Sequence, residues 1–227
     1  MADRDNSVLL FSGGIDSFVA YHYLNKPKTV YFDVQSRYTQ RELEVVKRLI
    51  PSTIIDHSLD FSSREIGVNA YIPFRNLLLA AQAAKYADTI YIVGIKGDNV
   101  SDKNEEIFEE FSTLLTKLEN RPIKVLSPFW EKTKSEIISW YLNDHKGNLG
   151  ILLQTISCYA PKATGSYCGR CPSCFRKWTA LRANGINVPF YNDALLDEYY
   201  KAAKKGIYIK ERNDEIIREI DAYRSGH

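Results

Sequence analysis

The chain has 227 residues, of which 44% are hydrophobic and 26% charged, and its formal net charge is +2. The composition is that of a folded globular protein, and the length suits one domain, or one domain with a small appendage. It excludes a disordered chain, a collagen-like fibre and a small disulfide-rich scaffold. The near-balanced charge gives no general attraction to nucleic acid or anionic lipid.

Short apolar runs alternate with amphipathic segments along the first 142 residues. The runs predict buried strands at residues 7–11, 29–32, 52–56, 89–94 and 123–126. Helical spacing or composition predicts helices through Leu24, over residues 40–49, 76–87 and 105–118, and from about residue 134 to 142. The last of these begins with Thr133-Lys134-Ser135-Glu136, which fits a capping box. Strands that alternate with helices predict an α/β fold with a parallel, five-stranded type of sheet and helices on both faces.

A different pattern follows residue 150. A segment with all four cysteines comes first, and then helices are predicted at about 173–184, with Gly185 as a stop, and near 193–204 and 211–223. We therefore expect an α/β domain over residues 1–150 and a cysteine-containing helical region over residues 151–227, packed as one compact unit.

The N-terminal segment carries no sign of export. It is charged and polar, and the apolar run at residues 8–11 is too short for the core of a signal peptide. No stretch approaches the roughly 18 apolar residues that a membrane span requires. We expect a soluble, cytoplasmic protein without a membrane partner, where a reducing environment favours metal binding by the cysteines over disulfides.

The first predicted strand runs into Ser12-Gly13-Gly14-Ile15-Asp16-Ser17 at the start of a helix. Paired glycines let the backbone approach a ligand, and the helix start presents free N–H groups and a positive dipole end. This predicts an anion cradle for phosphates. It is neither a Walker A loop, which needs a lysine after the glycines, nor a dinucleotide fingerprint. The alternative is a glycine-rich turn in which Asp16 or Ser17 caps the helix; a phosphate-facing Asp16 would need Mg²⁺ beside it.

The four cysteines are spaced Cys158-x9-Cys168-x2-Cys171-x2-Cys174. Short C-x2-C steps let thiolates converge on one ion, and four thiolates suit a closed, tetrahedral and therefore structural Zn²⁺ site. An iron–sulfur cluster and a set of free buried cysteines are the alternatives.

Other short sequence motifs along the chain add to these two patterns. They are Phe32-Asp33, Arg37, Glu42-Leu43-Glu44, Tyr71-Ile72-Pro73-Phe74-Arg75-Asn76, Ile92-Val93-Gly94-Ile95, Lys134-Ser135-Glu136-Ile137 and Ser157-Cys158-Tyr159. Together with the loop and the cysteines, they resemble the 7-cyano-7-deazaguanine synthase family of the PP-loop ATP pyrophosphatases, over nearly the whole chain. The resemblance implies a HUP/PP-loop ATPase-like fold with the nucleotide-binding domain at residues 1–150 and the zinc-binding region at residues 151–227.

The resemblance also implies an activity. Enzymes of this family use ATP to activate the carboxylate of 7-carboxy-7-deazaguanine as an acyl adenylate, let ammonia displace AMP, and dehydrate the amide to a nitrile by a second activation. For this chain it implies ATP, Mg²⁺ and Zn²⁺ as cofactors, a small-molecule substrate and a homodimer.

Site residues follow from the matched blocks. The resemblance implies that the ATP site comprises Leu10, Phe11, Ser12, Gly13, Gly14, Asp16 and Ser17. Catalytic roles fall to Asp16, Ser17 and Lys134, with a solvated lysine as the alternative for Lys134. Substrate contacts are expected from Arg37, Arg75, Asn76 and Asp98, for which a surface ion pair, a surface arginine, a helix cap and a turn residue are the respective alternatives. The metal ligands are Cys158, Cys168, Cys171 and Cys174.

The sequence departs from the family in two places. The family's Tyr-Pro-Asp-Cys-Arg core is missing from residues 97–105, and Ser36 and Tyr38 stand where the family has glutamine and histidine. Both changes fall in expected substrate loops. They leave open an offshoot that stops at the amide or adenylates another substrate.

Two other functions compete with this interpretation. One is a PP-loop enzyme that adenylates a tRNA base, and the other is a zinc-knuckle nucleic-acid module whose aromatic residues Tyr159, Tyr167, Phe175 and Trp178 stack on bases. The basic residues between 201 and 212 are interrupted by acidic ones, and the net charge is small. We therefore do not expect nucleic acid as a partner.

Overall fold

The computed structural model describes residues 6–36, 39–66, 71–98, 100–156, 158 and 167–226. Arg37 and Tyr38 lie outside the described residues. The strands are β1 (Ser7–Leu10), β2 (Lys28–Phe32), β3 (Ile54–Asp56), β4 (Thr89–Tyr91) and β5 (Lys124–Leu126). The helices are α1 (Ile15–Tyr23), α2 (Thr39–Leu49), α3 (Arg75–Ala83), α4 (Glu105–Glu119), α5 (Lys134–Ser139), α6 (Leu149–Leu153), α7 (Pro172–Arg182), α8 (Asp193–Lys204) and α9 (Lys210–Arg224).

The strands form one parallel sheet in the order β3-β2-β1-β4-β5. The chain adds β2 and β3 on one side of β1, and then β4 and β5 on its other side. In open α/β sheets of this kind the crevice at the carboxyl ends of the two strands at the reversal is the usual ligand site. This topology therefore directs attention to the loops that follow β1 and β4.

Helices cover both faces of the sheet, as the alternating pattern predicts. Val8 and Leu9 in β1 are both fully buried, but successive strand residues point to opposite faces. Leu9 packs with side chains of α1, α2, α5 and α7, whereas Val8 packs with side chains of α3 and α4. The α/β fold class is confirmed.

The C-terminal helices pack around the cysteines. Phe175 and Trp178 on the inner side of α7 are fully buried and join a third apolar cluster with residues of α8 and α9. Ala180 and Leu181 on the same helix belong to the cluster on the sheet. Helix α7 thus connects the metal region to the face of the sheet that carries α1.

Two segments differ from the sequence prediction. The helix expected to run to residue 142 becomes π-helical over Trp140–Asp144, where the N–H of His145 donates to the carbonyl of Trp140 five residues earlier. Helix α6 was not predicted, because its five residues are too few to show a helical period; the Asn148 side chain caps it. Within the described residues, no helix is long and apolar enough to cross a membrane.

The strand predicted to extend to Gly94 ends at Tyr91. Beyond it the backbone is held by a side chain: Gly94 N–H donates to Ser127 Oγ at 3.0 Å, and the Ser127 hydroxyl donates to Gly94 O at 2.6 Å. The ring of Trp130 lies against the Gly94 Cα, so that a Cβ there would fall 2.0 Å from the Trp130 Cζ3 atom. Glycine is therefore required at residue 94, because the Trp130 ring leaves no room for a Cβ.

We expect Gly94→Ala to destabilise the protein by about 2–3 kcal/mol, because the Trp130 ring must shift within a packed site. Gly185→Ala is the matched control: Gly185 has a positive φ but open space around it, so that only the left-handed backbone penalty of about 1 kcal/mol applies. Urea unfolding followed by circular dichroism measures both. Equal losses in the two variants would contradict the close-approach argument.

Candidate active site

The loop between β1 and α1 presents free backbone donors. Gly13 has φ +71, in the left-handed region that glycine adopts without penalty. Gly14 is the N-cap of α1, and no side chain caps the helix, so that the first-turn N–H groups remain available to a ligand. The Ser17 hydroxyl donates to the carbonyl of Gly14 at 3.1 Å. Neither Asp16 nor Ser17 caps the helix in the structure, and the free N–H groups are compatible with the predicted anion cradle.

Lys134 reaches this loop from another part of the fold. It is the first residue of α5, whose start is fixed by the predicted capping box between Thr133 and Glu136. Its ammonium donates to the carboxylate of Asp16, and its side chain is only 13% exposed. Burial lowers the pKa of Lys134, although the charge of Asp16 opposes the shift. A partly buried ion pair therefore stands beside the loop, and Lys134 is not a solvated helix lysine.

A cavity of about 290 Å³ opens at the carboxyl ends of β1 and β4, where the topology places a ligand. It gathers most of the predicted site residues: Leu10, Phe11, Ser12, Gly14, Asp16, Ser17, Arg75, Asn76, Asp98 and Lys134. Gly13 lies behind its wall, and its carbonyl accepts from Ile156 N–H at 2.8 Å. The structure thus places ATP-site and substrate-site candidates in one cavity.

Asp98 is engaged by two cations. Lys103 Nζ and Arg176 Nη2 each lie 2.6 Å from one of its carboxylate oxygens, and the carboxylate is only 5% exposed. Burial alone would raise the pKa of Asp98, but the two positive charges outweigh it and hold that pKa well below its usual range. Asp98 therefore orients two cations on the cavity wall.

The start of α3 carries the other two substrate candidates. The backbone N–H and side-chain amide of Asn76 both donate to Asp102, at 2.9 and 2.8 Å. Arg75 lines the cavity, and its side chain makes no hydrogen bond or ion pair with the described part of the chain. A cavity-lining guanidinium of this kind suits a carboxylate or phosphate on a ligand.

Among the cavity residues that were not predicted as site residues, four are titratable: Tyr31, Glu42, Lys103 and Arg176. The hydroxyl of Tyr31 donates to Glu42 Oε2 at 3.0 Å. Burial raises the pKa of Glu42 to about 7, although this hydrogen bond and the charge of Arg75 oppose the shift. Glu42 lies in one of the blocks that resemble the family, so that the sequence marked it as a candidate. Lys103 and Arg176 lie in none of those blocks.

The four cysteine sulfurs converge, as their spacing predicts. All lie within 4.8 Å of one another, and the sulfurs of Cys168 and Cys174 are 3.7 Å apart. Ligands about 2.3 Å from a tetrahedral zinc ion stand about 3.8 Å apart, so that this set fits the ion. The N–H of Arg170 points to Cys168 Sγ and that of Cys174 to Cys171 Sγ, both at 3.4 Å, which supports negative charge on sulfur.

The cysteine cluster is tied to the phosphate loop. Lys177 on α7 is buried, and its ammonium donates to the carbonyl and hydroxyl of Thr155 at 2.7 and 3.0 Å. The next residue, Ile156, holds the Gly13 carbonyl, and Cys158 reaches the wall of the cavity. The metal region thus supports the back of the site.

Comparisons with known proteins give the family of the chain. The family model described as queuosine biosynthesis protein QueC matches residues 42–185. The 7-cyano-7-deazaguanine synthases of Citrifermentans bemidjiense and Geobacter sp. (strain M21) are each 29% identical to the chain, over 224 and 225 residues, with 82% of the chain and 97% of each relative covered. The 7-cyano-7-deazaguanine synthase of Staphylococcus saprophyticus is 27% identical over 218 residues, with 82% of the chain and 94% of the relative covered.

We expect the purified protein to contain one zinc ion per chain, measured by inductively coupled plasma mass spectrometry, and to be colourless. Cys174→Ser should lose most of the metal, because a closed thiolate site cannot replace a ligand. Ser173→Ala, one residue away and outside the sulfur cluster, is the control and should retain it. Iron with visible charge-transfer absorption would contradict the zinc assignment.

The raised pKa of Glu42 makes the stability of the folded protein depend on pH. The native protein holds this proton more tightly than the unfolded chain, where the pKa is about 4.5, so that wild-type stability falls as the pH rises from about 4.5 to about 7. Glu42→Gln removes this loss. The free energy of unfolding of the variant, measured relative to that of the wild type, should therefore be on the order of 2 kcal/mol higher at pH 8 than at pH 5. Thermal unfolding across pH measures the difference. Glu44→Gln, exposed on the same helix, should show no such trend.

Proposed function

The chain belongs to the QueC family of queuosine biosynthesis proteins, and from that membership we propose that it is an ATP-dependent ligase. It converts 7-carboxy-7-deazaguanine and ammonia to 7-cyano-7-deazaguanine, and ATP is cleaved to AMP and pyrophosphate. The observation that carries the proposal is the single cavity in which a phosphate cradle and the Lys134–Asp16 pair face a second wall of cations at Arg75, Lys103 and Arg176.

ATP binds at the cradle end. The free N–H groups of the first turn of α1 and the hydroxyls of Ser12 and Ser17 receive its phosphates. Lys134 leaves Asp16 to neutralise the phosphate charge that grows as pyrophosphate departs. Asp16 is then free to hold Mg²⁺ beside the phosphates, since hard cations prefer carboxylate oxygens.

The carboxylate substrate binds at the opposite wall. A carboxylate is a poor electrophile, because resonance and charge shield its carbon. Arg75 orients the substrate so that one carboxylate oxygen attacks the α-phosphorus and pyrophosphate leaves, which forms the acyl adenylate. The protein contributes orientation and charge neutralisation. No covalent bond to a side chain is required.

Ammonia completes the first half of the reaction. It attacks the acyl carbon and displaces AMP, and the extra proton passes to a base; Glu42, with its pKa raised to about 7, suits this role. All four cysteines of the chain lie in the sulfur cluster, so that no thiol remains for a glutaminase nucleophile. Ammonia therefore comes from solution or from a partner. In the second half, the amide oxygen attacks the α-phosphorus of a second ATP and displaces pyrophosphate. AMP then departs with that oxygen, and the nitrile forms as the nitrogen gives up its two protons to solvent or a base.

An offshoot that stops at the amide is the second candidate. The loop at residues 97–105 lacks the family's Tyr-Pro-Asp-Cys-Arg core, and it inserts Lys103 into the cavity beside Asp98. An added cation at the substrate wall alters which leaving groups and bases the site accepts. The zinc-knuckle alternative has less support, because Phe175 and Trp178, two of its four stacking candidates, are fully buried and cannot stack on bases.

A turnover assay by mass spectrometry tests the proposal. Zinc-loaded protein is mixed with ATP, Mg²⁺, ammonium and 7-carboxy-7-deazaguanine, and both base and nucleotide products are identified. We expect the nitrile together with AMP. Amide alone would favour the offshoot. Unspent ATP and unchanged base would overturn both candidates.

Two variants test which end of the cavity binds ATP and which end binds the carboxylate substrate. Lys134→Ala should lower kcat/KM by about 10²-fold, since it removes charge stabilisation as pyrophosphate leaves. Arg75→Gln should raise KM for the carboxylate substrate by about tenfold and leave KM for ATP unchanged. Arg64→Gln, on an exposed turn, is the matched control. An equal effect of Arg75→Gln on both substrates would contradict the assignment of the two ends.

A further inference from the structure

A buried lysine lies behind the loop between β1 and α1. Lys177 on α7 is only 2% exposed, and its side chain does not line the cavity. No carboxylate of the described residues pairs with its ammonium. The ammonium instead donates to three oxygens, namely the carbonyl of Leu153 at 3.4 Å and the carbonyl and hydroxyl of Thr155 at 2.7 and 3.0 Å. Enclosing a charge is costly, and neutral acceptors offset only part of that cost.

The three acceptors belong to the turn that ends α6. Helix α6 ends at Leu153, and the last carbonyls of a helix have no donors within it and carry partial negative charge. Thr155 is fully buried, and its hydroxyl donates in turn to the carbonyl of Leu152 at 2.7 Å. The ammonium therefore closes the end of α6 and fixes the backbone at residue 155.

The same turn supports the glycines of the loop. Ile156, the next residue, donates its N–H to the Gly13 carbonyl at 2.8 Å. A Cβ at Gly14 would stand 3.3 Å from the Ile156 carbonyl oxygen, so that the two backbones lie close together. Gly14 is also the N-cap of α1. A continuous path of contacts thus runs from Lys177 through residues 155 and 156 to the start of α1, where the free N–H groups lie.

On its other side, Lys177 lies close to the cysteine cluster. It follows Cys174 by three residues, which places the two side chains on one face of α7. Burial lowers the pKa of Lys177 to about 8, and negative charge on Cys174 is the largest influence that opposes the shift. A zinc ion held by four thiolates carries a formal charge of about −2. A metal-loaded cluster therefore supplies the counter-charge that the buried ammonium otherwise lacks.

We propose that Lys177 is a positioning residue that couples zinc binding to nucleotide binding. The metal-loaded cluster holds the ammonium on one side, and the ammonium holds the turn at residues 153–156 on the other. The loop at Gly13 then keeps the conformation that presents the N–H groups of α1. Zinc and the nucleotide favour the same position of the turn, and each tightens the binding of the other, because such coupling is reciprocal. The nucleotide in this inference rests on the proposed function, whereas the contacts of Lys177 do not.

Calorimetry with the zinc-loaded protein and a non-hydrolysable ATP analogue tests the nucleotide side. Lys177→Met, which keeps a long side chain but removes its charge and donors, should weaken analogue binding about tenfold. Binding of 7-carboxy-7-deazaguanine, measured separately, should be unchanged, since Asp102 holds the start of α3 from another direction. Lys177→Arg, which keeps charge and donors, should recover part of the analogue affinity. A merely structural loss would weaken the binding of both ligands.

Thr179→Val is the matched control, because Thr179 is buried on the same helix and its hydroxyl donates only to carbonyls of α7. It should bind the analogue as the wild type does. Thr155→Val is a milder probe, which removes one acceptor of the ammonium and leaves the charge in place. It should weaken analogue binding less than Lys177→Met does, and it keeps the test decisive where Lys177→Met does not fold. Thermal unfolding of each variant verifies that it is folded.

Competition for zinc with a coloured chelator tests the metal side. Saturating analogue should tighten zinc binding about tenfold in the wild type and in Thr179→Val, and leave it unchanged in Lys177→Met. An analogue effect of equal size in the wild type and Lys177→Met would overturn the proposal. Analogue affinities in Lys177→Met, or in Thr155→Val, equal to that in Thr179→Val would also overturn it. Failure of the wild type to bind the analogue would overturn the nucleotide site of the proposed function together with this inference, whereas the other results leave that site standing.

Discussion

A hydrogen bond of 2.8 Å from Ile156 N–H to the Gly13 carbonyl joins the two halves of the site. Gly13 holds a positive φ, and a Cβ there would stand 3.1 Å from Val45 Cγ1, so that the loop is fixed between α2 and the 155–156 segment. That segment is held in turn by the buried Lys177 on α7. A helix that starts among the clustered cysteines therefore supports the loop from which the free N–H groups of α1 point. The cysteine cluster thus acts on the geometry of the candidate active site.

The cavity itself is organised by ion pairs formed before any ligand arrives. An ion pair offsets part of the cost of enclosing a charge, and here Asp16 serves Lys134 while Asp98 serves both Lys103 and Arg176. A phosphate or carboxylate can replace these carboxylates with little rearrangement, because the cations already point into the cavity. Preorganisation of this kind is the main source of electrostatic catalysis.

Local signals account for the part of the site that was predicted. The strand-to-helix junction at Gly13 and Gly14, the capping box at Thr133 and the cysteine spacing are all encoded within a few residues, and each is found as expected. The contacts of Asp98 with Lys103 and Arg176 are different: Arg176 lies far from Asp98 in the sequence, and no period or motif encodes either contact. The end of β4 was missed for a related reason: the Ser127 hydroxyl and the Trp130 ring replace the strand pairing at Gly94.

The loop that departs from the family pattern has a structural task as well as a position at the substrate wall. Asp102 receives both donors of Asn76 and so fixes the start of α3, from which Arg75 enters the cavity. Lys103, next to it, sets the charge beside Asp98. The loop between β1 and α1 depends on α1, α5 and the segment at residues 155–156. Helix α7 serves both ends, since Arg176 pairs with Asp98 and Lys177 donates to Thr155. A change in the loop at residues 97–105 therefore acts directly on the cation wall and reaches the loop between β1 and α1 only through α7. This arrangement allows a loop that departs from the family pattern to stand beside a loop that matches it.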